Sequence, residues 1–394
     1  MIKRLFTLVF VVVSMSAYAQ KDNRIVIGTV DTVYSKILNE KRTILIHVPH
    51  GGSKDQRYPV LYILDGESHF QSAVAIDEQL SGVLPDMIIV GVTNTVRERD
   101  LTPTKVSGNQ IAGGGENFIS FIEKELMPYV ESKYPTAPYR VFSGHSLGGL
   151  TVINAFINHT ALFNAYIAID PSLWWDGQKW VKQIEAKLPQ LNFTGKSLFV
   201  GIANNIPPGM DTISVMKDTA NSNTLVTRSV LPFVKALRNA GNKGLRWTSK
   251  FYTNERHGTV ELNAEYDALR YLFNYYQFRT SQFEGHPELN MDVVLAAHFK
   301  VVSDHLGYKV LPSEDLVNEL AYSCMGQHKM DDAYKLFKRN IDNHPESANA
   351  FDSMGDYYEA VGDKQKAIEA YSKSLNLHET ADTRRKMEGL KEKK

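Results

Sequence analysis

The sequence is poor in cysteine, in net charge and in long apolar runs, and each shortage excludes a class of protein or partner. Cys324 is the one cysteine among 394 residues, which excludes an intramolecular disulfide and a cysteine-rich metal site. The 44 basic residues balance the 44 acidic ones, so nucleic acid and anionic membranes are not expected as partners. We expect no cofactor and no metal, and stability must come from a packed core.

An apolar run near the amino terminus has the three-part pattern of a secretory signal. Two basic residues precede the run at 5–13, and an A-x-A cleavage site closes the segment at 17–19. The run is too short to span a bilayer comfortably, and no stop-transfer charges follow it. We therefore expect cleavage of residues 1–19 and export of the mature protein, periplasmic or secreted, with no membrane association afterwards.

Short β-branched or apolar runs alternate with longer amphipathic segments over residues 20–280. Several runs, such as "MIIVGV" and "SLFVGI", are apolar throughout, as strands covered by helices on both faces are. The alternation predicts an α/β domain with a mostly parallel central sheet flanked by helices. The predicted strands are 24–34, 43–48, 59–64, 87–92, 139–142, 165–169, 197–202 and 246–252.

Strand patterns stop in residues 281–394, and helical patterns replace them. Ala333 aligns with Ala367 at a period of 34 residues, and further small and large residues recur at this spacing. Small residues let paired helices approach, and large ones fill the space between them. The period resembles two tetratricopeptide-like repeats at 314–347 and 348–381. Such repeats would suit a protein partner or a dimer contact.

The segment "VFSGHSLGGL" contains a G-x-S-x-G pattern centred on Ser146. A nucleophilic serine in this pattern occupies a strained strand-to-helix turn, so Gly144 and Gly148 must lack bulk. The turn lifts the hydroxyl out of the sheet, and the N-terminus of the following helix favours a developing negative charge. Ser146 is therefore the candidate nucleophile.

A serine hydroxyl needs a general base, which in this arrangement is a histidine after the last strand. His257 lies in a polar loop between the extended run that ends at Tyr252 and a predicted helix. His145 adjoins the serine but is expected to point elsewhere. His47 and His50 form an H-x-x-H pattern that no carboxylate motif supports. His257 is therefore the candidate base.

Four carboxylates compete to orient His257. Asp211 and Asp218 follow the seventh predicted strand, Asp170 ends the sixth, and Glu255 precedes the base by two residues. We favour Asp218 as the catalytic acid. The other three carboxylates, and a serine–histidine dyad without a strong acid, remain alternatives.

The oxyanion hole requires two backbone amides. The residue after the nucleophile supplies one of them, and the loop after the third strand supplies the other. These rules point to the amides of Leu147 and Glu67. Gly66, directly before Glu67, allows the backbone to approach a substrate closely.

Four segments together resemble the putative esterase family of α/β hydrolases: "VGVTNTVRERDLTPT", "GHSLGGL", "IDPSLWW" and "NERHGTV". That family includes enterochelin-type siderophore esterases, esterase D-like enzymes and feruloyl or acetyl xylan esterases. The resemblance covers about 40–276 and implies hydrolysis of a carboxylic ester. It also implies that Arg99, Asp100 and Trp174 lie near the pocket mouth. From the residues alone, Arg99 and Asp100 are equally consistent with salt bridges within a loop, and Trp174 is equally consistent with a side chain that covers the hydrophobic core.

Two functions follow from these features. The first is a secreted serine ester hydrolase whose substrate is a siderophore ester or a feruloyl or acetyl ester of a carbohydrate. The second is a catalytically silent hydrolase-fold scaffold that binds a protein through its repeats. A nucleophile, a base and oxyanion donors in the expected order favour the enzyme.

Overall fold

The computed structural model describes residues 25–50, 56–219, 221–241, 244–283, 285–286 and 288–392. The predicted signal segment, residues 1–19, lies outside these ranges. No helix in the described ranges combines the length and the apolar character needed to cross a membrane.

In the described residues, eight strands form one sheet. They are β1 (Thr29–Ser35), β2 (Glu40–His47), β3 (Tyr58–Leu64), β4 (Ile88–Val92), β5 (Thr136–His145), β6 (Ala165–Ile169), β7 (Lys196–Ala203) and β8 (Leu245–Tyr252). Their order across the sheet is β1-β2-β4-β3-β5-β6-β7-β8. Neighbours among β3 to β8 are parallel, whereas β1 with β2 and β2 with β4 are antiparallel. The predicted mostly parallel sheet is confirmed.

Strands β3, β4 and β6 are apolar throughout because each face of the sheet has its own core. Val60, Tyr62 and Leu64 of β3 lie in one hydrophobic cluster, and Leu61 and Ile63 lie in the other. All residues of β3 are buried. A side chain on either face of such a strand meets helices rather than water, so no polar alternation is expected.

Helices cover both faces of the sheet. Those of the α/β region are α1 (Gly66–Gln79), α2 (Arg97–Leu101), α3 (Gly115–Phe121), α4 (Met127–Lys133), α5 (Leu147–Asn158), α6 (Lys179–Lys187), α7 (Leu225–Asn239) and α8 (Val260–Leu272). A π-helical segment, Ile122–Leu126, joins α3 to α4. Short 3₁₀ helices are Trp175–Gln178, Leu188–Gln190, Ser214–Lys217, Ser222–Thr224 and Thr280–Phe283.

The carboxy-terminal region is helical, as predicted. Its helices are α9 (Met291–Leu306), α10 (Glu314–Gly326), α11 (Met330–Asn343), α12 (Ala348–Ala360), α13 (Lys364–Leu377) and α14 (Ala381–Glu392). Helix α10 packs on α11, and α12 packs on α13. Gly355 of α12 lies so close to α13 that a Cβ atom there would be 2.4 Å from Cε1 of Tyr371.

Helix α9 connects the two regions through its two faces. Val302 and Leu306 belong to the hydrophobic cluster that α1 and α8 form on the sheet. Leu295 and Phe299 belong to a different cluster, which α10 and α11 complete. The helical region is therefore packed on the α/β region through a shared apolar helix.

Candidate active site

The backbone at Ser146 has the strained conformation expected of a nucleophile at a sharp turn. Ser146 has φ 60° and ψ −117° and stands between the end of β5 and the start of α5. A Cβ atom on Gly144 would lie 2.6 Å from the carbonyl carbon of Gly148. Gly144 is thus sterically required, and the turn exposes the serine hydroxyl at the edge of the sheet.

Hydrogen bonds link three side chains that come from different loops. Nε2 of His257 lies 2.9 Å from Oγ of Ser146, and Nδ1 of His257 lies 2.6 Å from Oδ2 of Asp170. Ser146 follows β5, Asp170 follows β6, and His257 lies between β8 and α8. Parallel strands deliver their carboxyl ends to one edge of the sheet, which is where such sites form. The imidazole is placed to accept the serine proton while the carboxylate orients it.

Asp170 is held firmly and away from water. Its side chain is fully buried, and its backbone has φ 40°. Oδ1 accepts a hydrogen bond from the amide of Ala203 at 3.0 Å, and Oδ2 accepts one from the side chain of Asn205 at 3.3 Å. The carbonyl oxygen of the same Asn205 side chain accepts the backbone amide of His257 at 3.1 Å. One side chain therefore ties the acid to the loop of the base.

The carboxylate beside His257 is Asp170 and not Asp218, which corrects the expectation from sequence. Asp218 accepts hydrogen bonds from the amide of Asn221 at 3.2 Å and from the hydroxyl of Thr224 at 3.0 Å. Those contacts direct its carboxylate to the turn that follows it. The sequence had a usable indication of Asp170, since it directly follows the strand next to that of the nucleophile.

The remaining alternatives also lie elsewhere. Asp211 accepts hydrogen bonds from the amide and the hydroxyl of Ser214, both at 2.7 Å. Glu255 accepts one from the side chain of Asn263 at 2.7 Å. Both carboxylates thus stabilise local structure.

The two amides predicted for the oxyanion hole belong to helix N-termini that meet beside Ser146. Leu147 is the first residue of α5, and Glu67 is the second residue of α1. Amides at such positions have no partner within their own helix. A Cβ atom on Gly148 would lie 3.3 Å from Oδ2 of Asp65, so the start of α5 lies against the residue before α1. Two converging helix N-termini favour a negative charge.

An ion pair anchors the loop that leads to Glu67. Nε and Nη2 of Arg97 lie 2.6 and 2.9 Å from the two carboxylate oxygens of Asp65, whose backbone has φ 53°. Burial opposes the ionisation of Asp65, but the hydrogen bonds and charge of Arg97 outweigh burial and lower the pKa of Asp65. The pair keeps the strained loop in one conformation.

Arg99 and Asp100 form a structural ion cluster rather than the substrate contact expected from the resemblance. Asp100 is fully buried and accepts hydrogen bonds from Nη1 of Arg42 at 2.5 Å and from Nε of Arg99 at 2.7 Å. The Nη atoms of Arg99 lie 3.1 and 2.6 Å from the carboxylate of Glu40. A buried carboxylate with two guanidinium partners is not accessible to a substrate, and the Nη groups of Arg99 are already engaged.

The two adjacent tryptophans differ in their surroundings. Trp175 is buried, and its Nε1 donates to the hydroxyl of Thr104 at 3.2 Å, so it belongs to the core. Trp174 is half-buried and packs on the edge of that core. Trp174 follows Ser172 by two residues, and Oγ of Ser172 lies 3.3 Å from Oγ of Ser146. Trp174 is thus the partly accessible tryptophan of the pair, two residues along the chain from a side chain that contacts the nucleophile.

Sequence reasoning missed two neighbours of the reacting groups. One is Ser172, whose amide also donates to the backbone carbonyl of Ser146 at 3.0 Å. The other is His145, whose ring lies 4.6 Å from that of His257 instead of pointing elsewhere. Across the described ranges, no group of three or more His, Cys, Asp or Glu side chains is placed to hold a metal ion.

Comparisons with known proteins identify the family and the fold of the chain. Residues 35–198 match the family model described as Putative esterase. An IroE-like serine hydrolase from Shewanella oneidensis is 31% identical, with a TM-score of 0.68 over 80% of this chain and 99% of that structure. The chain belongs to this esterase family. Its α/β-hydrolase fold, a mostly parallel sheet flanked by helices, is confirmed.

Two curated relatives of this esterase-family chain are named as siderophore esterases. The ferri-bacillibactin esterase BesA of Bacillus subtilis (strain 168) is 35% identical over 164 residues, which are 35% of this chain and 56% of the relative. The siderophore triacetylfusarinine C esterase of Aspergillus fumigatus is 31% identical over 139 residues, which are 30% of this chain and 45% of the relative. The chain thus spans about half the length of these relatives.

Proposed function

We propose that the protein is a serine carboxylic-ester hydrolase that acts through an acyl-enzyme on Ser146. The observation that carries this proposal is the hydrogen-bonded line from Asp170 through His257 to Ser146, with distances of 2.6 and 2.9 Å. A serine hydroxyl becomes an effective nucleophile when an oriented base accepts its proton. Membership of the esterase family supports the same reaction class.

In the proposed reaction, Oγ of Ser146 attacks the ester carbonyl while Nε2 of His257 accepts the hydroxyl proton. Asp170 accepts the hydrogen bond from Nδ1, which sets the tautomer and stabilises the imidazolium. His257 then gives the proton to the leaving alcohol oxygen, and the acyl group remains on Ser146. Water attacks this acyl group as His257 accepts a water proton; the bond from the acyl carbon to Oγ of Ser146 then breaks, His257 returns the proton to Oγ, and the carboxylic acid is released.

The proposed oxyanion donors are the amides of Leu147 and Glu67. Charge develops on the carbonyl oxygen as Ser146 attacks, and two preorganised N–H groups stabilise that charge more than the neutral ester. One donor of this kind contributes on the order of 10²- to 10³-fold to kcat. The convergence of α1 and α5 supports this assignment.

We propose siderophore esters as the substrate class. Two relatives that resemble the α/β region are named for hydrolysis of ferri-bacillibactin and triacetylfusarinine C. The half-buried Trp174 near the nucleophile offers an aromatic surface for a flat acyl group. Feruloyl and acetyl esters of carbohydrates are the competing class.

The proposal also includes export after cleavage of residues 1–19 and a binding role for the helical region. The pairing of α10 with α11 and of α12 with α13 falls at the predicted repeats 314–347 and 348–381. This agreement supports tetratricopeptide-like repeats that contact a protein partner or a second copy. N-terminal sequencing of the exported protein tests cleavage, and light scattering after gel filtration tests the dimer.

Labelling with a fluorophosphonate tests the reaction. We expect the label on Ser146 of the wild type and of Ser222→Ala, which changes an exposed serine, and none on Ser146→Ala. Comparison of kcat/KM for the two named siderophores and a feruloylated oligosaccharide then identifies the substrate class. A wild type that neither takes the label nor cleaves any ester would favour the silent scaffold.

A further inference from the structure

A second group of titratable side chains lies beside His257, and the proposed reaction does not use it. The ring of His145 lies 4.6 Å from the ring of His257, at an interplanar angle of 40°. The ring of His69 lies 6.0 Å from that of His145, and Nδ1 of His69 lies 3.2 Å from Oε2 of Glu261. Three elements, α1, β5 and α8, thus place side chains in a row that ends at the proposed base.

Glu265 completes the group one turn further along α8. It is fully buried, and its Oε2 accepts a hydrogen bond from the hydroxyl of Ser143 at 2.5 Å. Its Oε1 has no hydrogen-bond partner among the residues that the structure describes. Burial and the neighbouring charge of Glu261 raise the pKa of Glu265 to about 8. At pH 7, Glu265 is therefore mostly the neutral acid, and Glu261 is the carboxylate that contacts His69.

The pKa values of the two histidines of the row are shifted in opposite directions. Burial lowers the pKa of His69, but the hydrogen bond and charge of Glu261 outweigh burial, and the pKa is raised. Burial and the charges of His257 and His69 lower the pKa of His145 to about 4. His145 is thus a neutral ring between the proposed base and His69, whose raised pKa favours its protonated form. A neutral ring can pack on His257 without repelling the imidazolium that forms there.

Titratable groups reach this row from every side. They are Asp65 and His69 at the start of α1, Asp170 after β6, His257 after β8, and Glu261 and Glu265 on α8. Asp65 is paired with Arg97, and Asp170 is hydrogen-bonded to His257. Within the row, the ion pair is therefore the one between His69 and Glu261, and it does not include Asp170, His257 or Ser146.

The hydrogen bond from His257 to Asp170 holds one ring atom but leaves the ring able to tilt about that contact. Because Nε2 must stay in line with Oγ of Ser146, a packed neighbour is needed to prevent the tilt. We propose that His145 and His69 are positioning residues for His257: the ring of His145 keeps Nε2 aimed at Ser146, and the His69–Glu261 pair holds His145 in place. This inference rests on the proposed function.

The kinetic test uses p-nitrophenyl butyrate with His145→Gln, His69→Gln and the control His305→Gln. His305 is matched because its ring also lies against an aromatic ring, that of Tyr275 at 4.1 Å, but on α9. We expect His145→Gln to lower kcat on the order of 10- to 100-fold with little change in KM, since misorientation of the base affects the chemical step. We expect His305→Gln to match the wild type.

The pH profile adds a result that a purely structural role would not produce. His69→Gln leaves the charge of Glu261 uncompensated, which favours the protonated base, so the acidic limb of kcat/KM should move up by about half a pH unit. The double variant His69→Gln/Glu261→Gln removes both charges and should return the limb to its original position. If the acidic limb of the kcat/KM profile does not move in His69→Gln, the role proposed for the His69–Glu261 pair is overturned.

Two further results distinguish failure of the positioning role from failure of the proposed function. An unchanged kcat in a folded His145→Gln protein overturns the positioning role, whereas absence of hydrolysis and of Ser146 labelling in the wild type refutes the proposed function instead. If circular dichroism shows His145→Gln unfolded, His145→Phe takes its place because it keeps a neutral ring. We expect that variant to retain kcat within about threefold, and a loss of 100-fold would contradict support by the ring.

Discussion

The α/β region and the helical region differ in how often residues other than glycine adopt positive φ. In the α/β region, Ser146 and Asp170 adopt positive φ although they are not glycine, with values of 60° and 40°. In the helical region, positive φ falls mostly on glycine at helix ends, such as Gly307 and Gly362. Strain of the first kind persists only where surrounding structure enforces it and is common at functional sites. The edge of the sheet thus holds a site with a strained backbone, whereas the helices end in glycine turns that carry little strain.

This contrast predicts which changes affect catalysis and which affect stability. A substitution at a strained polar residue of the sheet edge should reduce turnover with a modest effect on unfolding. A substitution at a close helix contact should do the reverse. Helix α9, which belongs to both cores, should link the two regions.

The largest expected effect is that of Asp170→Asn. An amide cannot favour the same histidine tautomer or stabilise the imidazolium, so kcat should fall about 10⁴-fold. The matched control is Asp218→Asn, the carboxylate that the sequence favoured, which should retain kcat within about threefold because it lies in a separate turn. Steady-state kinetics on one ester suffice. Equal losses in the two variants would contradict Asp170 as the acid.

Leu306→Ala tests the link between the regions. Leu306 is buried in the cluster shared with the sheet, so the cavity should lower the free energy of unfolding by about 2 to 5 kcal/mol. Tryptophan fluorescence reports unfolding of the α/β region. If α9 joins the two regions into one cooperative unit, the urea midpoint measured by this fluorescence should shift as much as the midpoint measured by a signal from the helical region. Val301→Ala on the same helix, at an exposed site, should have little effect. A shift confined to the helical signal would show that the regions unfold separately.

Gly355→Ala tests packing within the helical region. The added Cβ would meet the ring of Tyr371, which is buried and held by a hydrogen bond from its hydroxyl to Asp356 at 2.7 Å. We expect a loss of about 1 to 3 kcal/mol in stability, with unchanged kcat. Gly389→Ala in α14 meets no atom within 4 Å and should gain about 0.5 to 1 kcal/mol. Chemical denaturation of both variants is the measurement, and equal changes would refute the close contact.

The smallest effect concerns the pH dependence of stability and Asp77, at the end of α1. Burial raises the pKa of Asp77 to about 8 from an ordinary value of 3.8. Between these values the folded state keeps a proton that the unfolded state has lost, so the stability contributed by this group falls as pH rises through that window. Asp77→Asn should therefore be more stable than the wild type at pH 8, by roughly 1 to 2 kcal/mol.

Urea unfolding at pH 5 and pH 8 measures this difference. The pKa of the buried Glu265 is also raised, so Asp77→Asn should keep part of the decrease in unfolding free energy between pH 5 and pH 8. Asp65→Asn provides the opposite sign, because the pKa of Asp65 is lowered by Arg97. Its carboxylate stabilises the fold above the ordinary aspartate pKa, and this contribution is lost as pH falls through the folded value. A slope unchanged in Asp77→Asn would contradict a protonated Asp77.

Most of the sheet was predictable from the sequence because buried strands have a short and local pattern. The predicted run 165–169 has the bounds of β6, and other strands differ from the prediction by a few residues at their ends. The predicted run 139–142 is shorter than β5, which spans Thr136–His145. The glycine and the polar residues next to the turn at Ser146 do not have the apolar pattern by which buried strands are predicted. Ser146 and His257, the candidate nucleophile and base, lie within hydrogen-bond distance of each other.

The amino-acid sequence by itself determined the features that depend on consecutive residues. Alternating strands and helices lead to a parallel sheet, and Gly144 permits the turn at Ser146 because a side chain there would clash with the backbone of Gly148. Only the tertiary structure decided which distant groups meet. Asp170 rather than Asp218 reaches His257 because β6 lies beside β5. His145 contacts His257 because the end of β5 and the loop after β8 converge, and such contacts depend on strand order rather than on neighbouring residues in the chain.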